Sequence, residues 1–110
     1  QSYGAKQLSK KLEKIKKKFQ DGSQTDYKLA IIEAEDLLME VLEERGYDRD
    51  TFEESIKAAS RIISKISDQI LAAHQIRNSI VYDPDFNLPG EQAKNIMSVY
   101  ESAVNAIGLE

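Results

Sequence analysis

Apolar residues recur along this chain at spacings of three and four, the period of one face of an α-helix. Leu8, Leu12, Ile15 and Phe19 form the first such stripe, with lysines at the intervening positions, and predict an amphipathic basic helix over residues 5–19. Asp21-Gly22-Ser23 ends it, with Gly supplying a left-handed turn. Ala30, Ala34, Leu37, Leu38, Val41 and Leu42 make a second stripe. Thr25 or Asp26 is expected to cap this helix, and Gly46 closes it after Arg45, with Tyr47 as the apolar residue beyond.

Thr51-Phe52-Glu53-Glu54 fits a capping box, so a third helix is predicted from Phe52, with Phe52, Ile56, Ala59 and Ile63 on its apolar face. No Gly or Pro separates it from the next stripe. A continuous helix over 52–82 would be about 46 Å long at 1.5 Å per residue, outreaching its neighbours, and a break at Ser60 or Ser64 is therefore expected. Wound at about 100° per residue, Ile66, Ile70, Ala73, Ile80 and Val81 share one face of the following helix, which Pro84 stops at Val81 or Tyr82. Phe86 and Leu88 are expected to fold back from the loop onto the core. Pro89-Gly90-Glu91 opens the last helix, Gly108 ends it, and Ala93, Ile96, Met97, Tyr100, Ala103, Val104 and Ile107 form its buried face. The pattern predicts an all-α, up-and-down bundle of four core helices over 23–110, with an additional basic amphipathic helix over 1–22.

Composition agrees with a small helical domain. With 110 residues, two Pro, five Gly and no Cys or Trp, the chain needs no disulfide. The lack of Cys excludes thiol chemistry, a single His argues against a histidine zinc site, and no metal or cofactor is expected. No apolar run reaches the roughly 20 residues of a membrane span, and a cytoplasmic location is the natural expectation. Since Gln1 rather than Met begins the chain, a segment upstream, including a membrane anchor, is also an expectation.

Charge is divided unevenly. Residues 1–20 hold seven lysines, Lys6, Lys10, Lys11, Lys14, Lys16, Lys17 and Lys18, against Glu13 alone; the remainder holds eight basic and eighteen acidic residues. An acidic body offers no broad surface for nucleic acid. The lysines are expected to form a solvated face over a stripe that packs on the bundle or on a second copy. Contact with anionic lipid, or with a phosphate backbone, is the alternative.

One residue breaks the apolar pattern. Arg77 falls in the midst of the Ile66–Val81 face, with the only His, His74, at its edge. A guanidinium there requires a carboxylate partner, or a cleft or subunit contact that holds an acid or phosphate. Glu33, Glu35, Asp36, Glu40, Glu43 and Glu44 surround the second helix, mostly in solvent, and one of them near the edge of its stripe is the expected partner. His74 is expected to be structural, bonded to a backbone group or a carboxylate. There is no phosphate loop, nucleophile elbow or paired metal ligand.

Arg77-Asn78-Ser79-Ile80-Val81-Tyr82 resembles the motif of the HEPN superfamily of small helical bundles, in which Arg, often followed by Asn, precedes His by a few residues at a helix end. Helix order is similar too: an Ala- and Glu-rich helix at Lys28–Leu38, the Arg-Asn helix later, and a closing helix with Tyr100. The likeness covers roughly residues 26–109, and is nearer still to bacterial proteins that join such a domain to an N-terminal membrane anchor. In the family's ribonucleases the motifs of two protomers face each other. His handles the proton of the ribose 2′-hydroxyl and Arg steadies the phosphate, without metal. Here Tyr82 stands where the His would. A phenol with an ordinary pKa of about 10 is a poor proton acceptor at neutral pH.

Three roles follow for these residues. Arg77 and Asn78 form a polar cluster that fixes helix packing or a two-fold interface; or His74, Arg77, Asn78 and Tyr82 bind a small ligand, RNA or a nucleotide phosphate; or Arg77, Asn78 and Tyr82 support RNA cleavage. The first leads to a non-enzymatic, homodimeric interaction domain, and it is the favoured expectation.

Overall fold

Ser23, rather than Thr25 or Asp26, starts the longest helix: its side chain accepts a hydrogen bond from the Asp26 amide at 3.1 Å. The cap therefore lies earlier than expected, because the third residue after Ser23 presents its free amide at hydroxyl reach. In the computed structural model, which describes residues 4–20 and 22–109, the elements are α1 (Ala5–Lys16), α2 (Gln24–Glu44), α3 (Phe52–Ala58), α4 (Ser60–Ile63), α5 (Ser67–Tyr82) and α6 (Gly90–Gly108). Short 3₁₀ turns at Lys17–Phe19 and Ser64–Ile66 follow α1 and α4. There is no strand among the described residues. The expected stop after α1 is present as Gly22 at φ 71°, while Asp21 lies outside the described residues.

The other helix signals act as anticipated. Gly46 sits at φ 81°, and the Tyr47 and Gly46 amides return to the Leu42 and Glu43 carbonyls, the double bond of a Schellman ending. Thr51 and Glu54 form the reciprocal capping box. The 52–82 stretch breaks beside both candidate serines, at Ala59, Ile63 and Ile66, whose ψ values of 9°, 17° and 7° leave helical geometry. Serine hydroxyls compete locally for the backbone there, as where Ser67 Oγ donates to the Ser64 carbonyl at 2.9 Å.

α6 runs parallel to α2, which is legible from both ends. At one end the Gln24 side chain accepts from the Leu88 amide at 2.8 Å and donates back to the Leu88 carbonyl. At the other, Arg45 donates from Nε to the Ile107 carbonyl at 3.2 Å and from Nη2 to that of Gly108, closing the C-terminus of α6 with a cation. α1 runs opposite to both. Its Leu8 lies against Gly108, where a Cβ would stand 2.7 Å from Leu8 Cδ2, and Phe19 beyond its end meets Tyr27 with ring centroids 5.3 Å apart. α5 leaves the end where Arg61 Nη2 donates to the Tyr47 hydroxyl at 3.2 Å, and the loop after it brings the chain to Leu88 and Gln24. The four long helices thus alternate in direction, and α3 and α4 lie in the connection between α2 and α5.

One buried cluster joins them. It includes Leu8, Leu12 and Ile15 of α1 with Leu38 and Leu42 of α2, Ile70 of α5, and Val104 and Ile107 of α6. The basic helix is thus part of the common core; each buried Leu or Ile contributes roughly 1.5–3 kcal/mol. Its lysines meet acids of the bundle, Lys16 at 3.2 Å from Glu101 and Lys18 at 3.5 Å from Glu33. Such exposed pairs add little beside the burial. Leu88 is fully buried and Phe86 packs on the cluster, as their loop positions implied. The radius of gyration, 13.4 Å, is that of a compact domain of this length, about 13 Å.

Candidate functional site

Glu35 occupies the middle of the apolar face of α2. It follows Ile31 by four residues and precedes Leu38 by three, so helical winding directs its carboxylate into the core, where it is only 1% exposed. A carboxylate there must be compensated. Three side chains from two other helices do this. His74 Nδ1 of α5 lies 2.9 and 3.0 Å from the two carboxylate oxygens, Tyr100 of α6 donates its hydroxyl to Oε1 at 2.8 Å, and Arg77 Nε lies 3.3 Å from Oε2. The last approach is within ion-pair range but at an angle that makes no hydrogen bond, so Arg77 Nε is buried with charge compensation alone.

Asn78 completes the ring. Its Oδ1 accepts from Arg77 Nη1 at 3.1 Å, and its Nδ2 stands 3.4 Å from His74 Nε2. This pattern assigns the imidazole proton to Nδ1, facing Glu35, and leaves Nε2 as acceptor. Phe52, the first residue of α3, stacks flat on the imidazole at 4.1 Å between centroids and 4° between planes. His74 retains 12% exposure, and Glu53 Oε2 stands 3.9 Å from its Nε2 at the rim.

Burial, followed by the charge of Glu35 and its hydrogen bond, pushes the Tyr100 phenol far above its usual range, with Arg77 opposing. Tyr100 is thereby a permanent donor. Because its folded pKa is raised, its contribution is intact below the unfolded value of about 10; above that the unfolded chain releases a proton that the folded chain keeps, and stability falls by about 1.4 kcal/mol per pH unit. Tyr100→Phe should therefore be less stable at about pH 9 but lose less stability between about pH 9 and 11, measured by urea unfolding.

Of the four residues singled out by sequence, His74, Arg77 and Asn78 come together. Tyr82 does not join them: at the end of α5 it is 81% exposed, and among the described residues no hydrogen bond links it to the other three. The carboxylate partner of Arg77 is Glu35, which lies within the α2 stripe instead of at its edge. Sequence reading counted it among six acids of α2, one of which was expected to pair with Arg77, without singling it out, and placed Tyr100 and Phe52 on apolar faces. The signal for Glu35 was present, since it stands four residues after Ile31, three before Leu38 and seven before Leu42, the spacing of one helix face.

A carboxylate-held imidazole with a free Nε2 is the geometry of a general base. Here Asn78 faces that nitrogen and Phe52 covers the ring. Arg77 is more open than His74 or Glu35, with 22% of its side chain exposed, and its Nη1 donates to Asn78. Among the described residues no three acidic, His or Cys side chains converge as metal ligands, and no helix is long and apolar enough to cross a membrane. No family model, no curated protein and no solved structure matches the chain.

Proposed function

We propose that the chain is a non-enzymatic, HEPN-like interaction domain that associates with a second copy of itself through the exposed end of α5. The observation that carries this reading is the division of labour along that helix. Glu35 engages His74 and Arg77 from inside the bundle, whereas Val81 and Tyr82, one turn further on, are 43% and 81% exposed. A phenol presented to solvent is a poor base but a good contact residue, with a large apolar body and a polar tip. The internal cluster acts as a register device: a buried carboxylate that needs donors from α5 and α6 permits one relative placement of three helices.

Sedimentation of the full chain at tens of micromolar tests the association. A dimer weakened by Tyr82→Asp is the expected result, and a monomer would refute it.

A second reading is favoured by one detail, the partly open position of Arg77, whose side chain is 22% exposed. A guanidinium so placed can meet a phosphate, with Asn78 beside it, in an RNA- or nucleotide-binding or ribonuclease module. Incubation with single-stranded RNA without metal separates the two. No cleavage is expected; cleavage abolished by Arg77→Ala would establish the second reading in place of the first.

A further inference from the structure

The N-terminal segment uses its lysines in two ways. Lys16 and Lys18 turn to acids of the bundle, Glu101 and Glu33, and Lys11 is engaged as well. Lys6, Lys10, Lys14 and Lys17 are exposed, and among the described residues no ion pair ties their ammonium groups to the bundle. Each stands two residues, or about 200° of winding, from Leu8, Leu12 or Ile15, so the four form a row opposite the buried stripe of α1. The row runs about 16 Å along the helix. Glu13 lies at its edge, paired with Lys16 at 3.6 Å, and Lys14 borders a depression it shares with Glu33, Asp36 and Glu40. Four cations against one anion leave this ridge positive on an otherwise acidic molecule. Burying Leu8, Leu12 and Ile15 asks only that the opposite side be polar. Ammonium groups four residues apart repel one another and weaken the helix that carries them, so the packing of α1 does not account for the row.

We propose that this lysine ridge docks the chain on an anionic lipid bilayer. Charge complementarity makes the partner a polyanionic surface, and the composition and shape of the ridge favour a bilayer. It carries no Arg to grip a phosphate in a fork and no aromatic ring on which a base could stack, the devices of single-strand nucleic-acid sites. It is convex, with acidic surface on its α2 side where a polymer groove would need basic walls. Lipids, by contrast, diffuse laterally and gather beneath a few ammonium groups whatever their spacing, and a plane touches a ridge while the acidic body falls away from it. Because Leu8, Leu12 and Ile15 belong to the common core, the contact is electrostatic alone: α1 lies on the headgroups and inserts no apolar side chain.

Sedimentation of the full chain with vesicles of phosphatidylcholine containing about 30% phosphatidylserine, at low ionic strength, is the test. Binding is expected to these vesicles and not to pure phosphatidylcholine. It should be lost at about 0.5 M NaCl, where screening shortens the reach of charge to a few ångströms. Each lysine near such a surface is worth about a fivefold gain in affinity, so Lys6→Gln with Lys10→Gln should weaken binding by at least about tenfold. Lys57→Gln with Lys65→Gln, at exposed positions on α3 and on the turn before α5, is the charge-matched control and should change it by no more than about twofold. Far-ultraviolet circular dichroism checks that all variants fold. Absence of binding at low ionic strength, equal losses in the two double variants, or binding that survives about 0.5 M NaCl would each overturn this inference. So would tighter binding to single-stranded polyuridylate than to the vesicles, which would assign the ridge to nucleic acid.

Discussion

Glu35→Ala should lower the unfolding free energy by about 3–5 kcal/mol, much of the stability of a domain this size. The loss does not come from the pair's intrinsic strength. It comes from what stays behind: Arg77 keeps its charge with Nε buried, His74 Nδ1 and the Tyr100 hydroxyl lose their acceptor, and the core gains a void. Glu35→Leu combined with Arg77→Met removes both charges and fills the space, and should cost clearly less than the sum of the single changes. Urea unfolding of the wild type, Glu35→Ala, the two single changes and their combination measures this. A loss below about 1 kcal/mol for Glu35→Ala would mean that the cluster is solvated instead of buried.

Leu8→Ala should cost about 2–5 kcal/mol, the range for truncating a fully buried leucine. Leu8 has no exposed surface and lies against Gly108 at the end of α6, so its removal leaves a cavity where the first and last helices meet. Exposed Lys10 or Lys14 changed to Gln should shift stability by no more than about 0.5 kcal/mol. The contrast in thermal or urea unfolding distinguishes a helix that belongs to the core from a lysine-bearing appendage. If Leu8→Ala unfolded with wild-type stability, α1 would be dispensable to the bundle.

Most of the helical layout was legible because its causes are local. Thr51 caps because Glu54 stands three residues on; Gly46 ends α2 because it can take a positive φ; Pro84 halts α5. The exception within this class is instructive. Ser23, Thr25 and Asp26 are all competent caps, and propensity does not rank them; the Gln24 clamp on Leu88, a contact across 64 residues, holds the chosen start in place.

The candidate site divides along the same line. Arg77 announced itself as a charge in an apolar stripe, and the need for a carboxylate followed from the cost of burying it. Which carboxylate depended on how α2 and α5 are rotated against one another. Six acids lie between Glu33 and Glu44, and a single helix does not say which flank its neighbour covers.

Residue pattern alone therefore determined the helices, most of their ends and the need to compensate Arg77, by a carboxylate or in a cleft or subunit contact, because hydrophobic periodicity, capping and desolvation act within one element. Assembly determined that Glu35 is the shared acceptor of His74, Arg77 and Tyr100, that Phe52 covers the imidazole, and that Tyr82 is left outside. Those facts depend on the packing angles and register of helices distant in the chain, and local propensity carries no information about either.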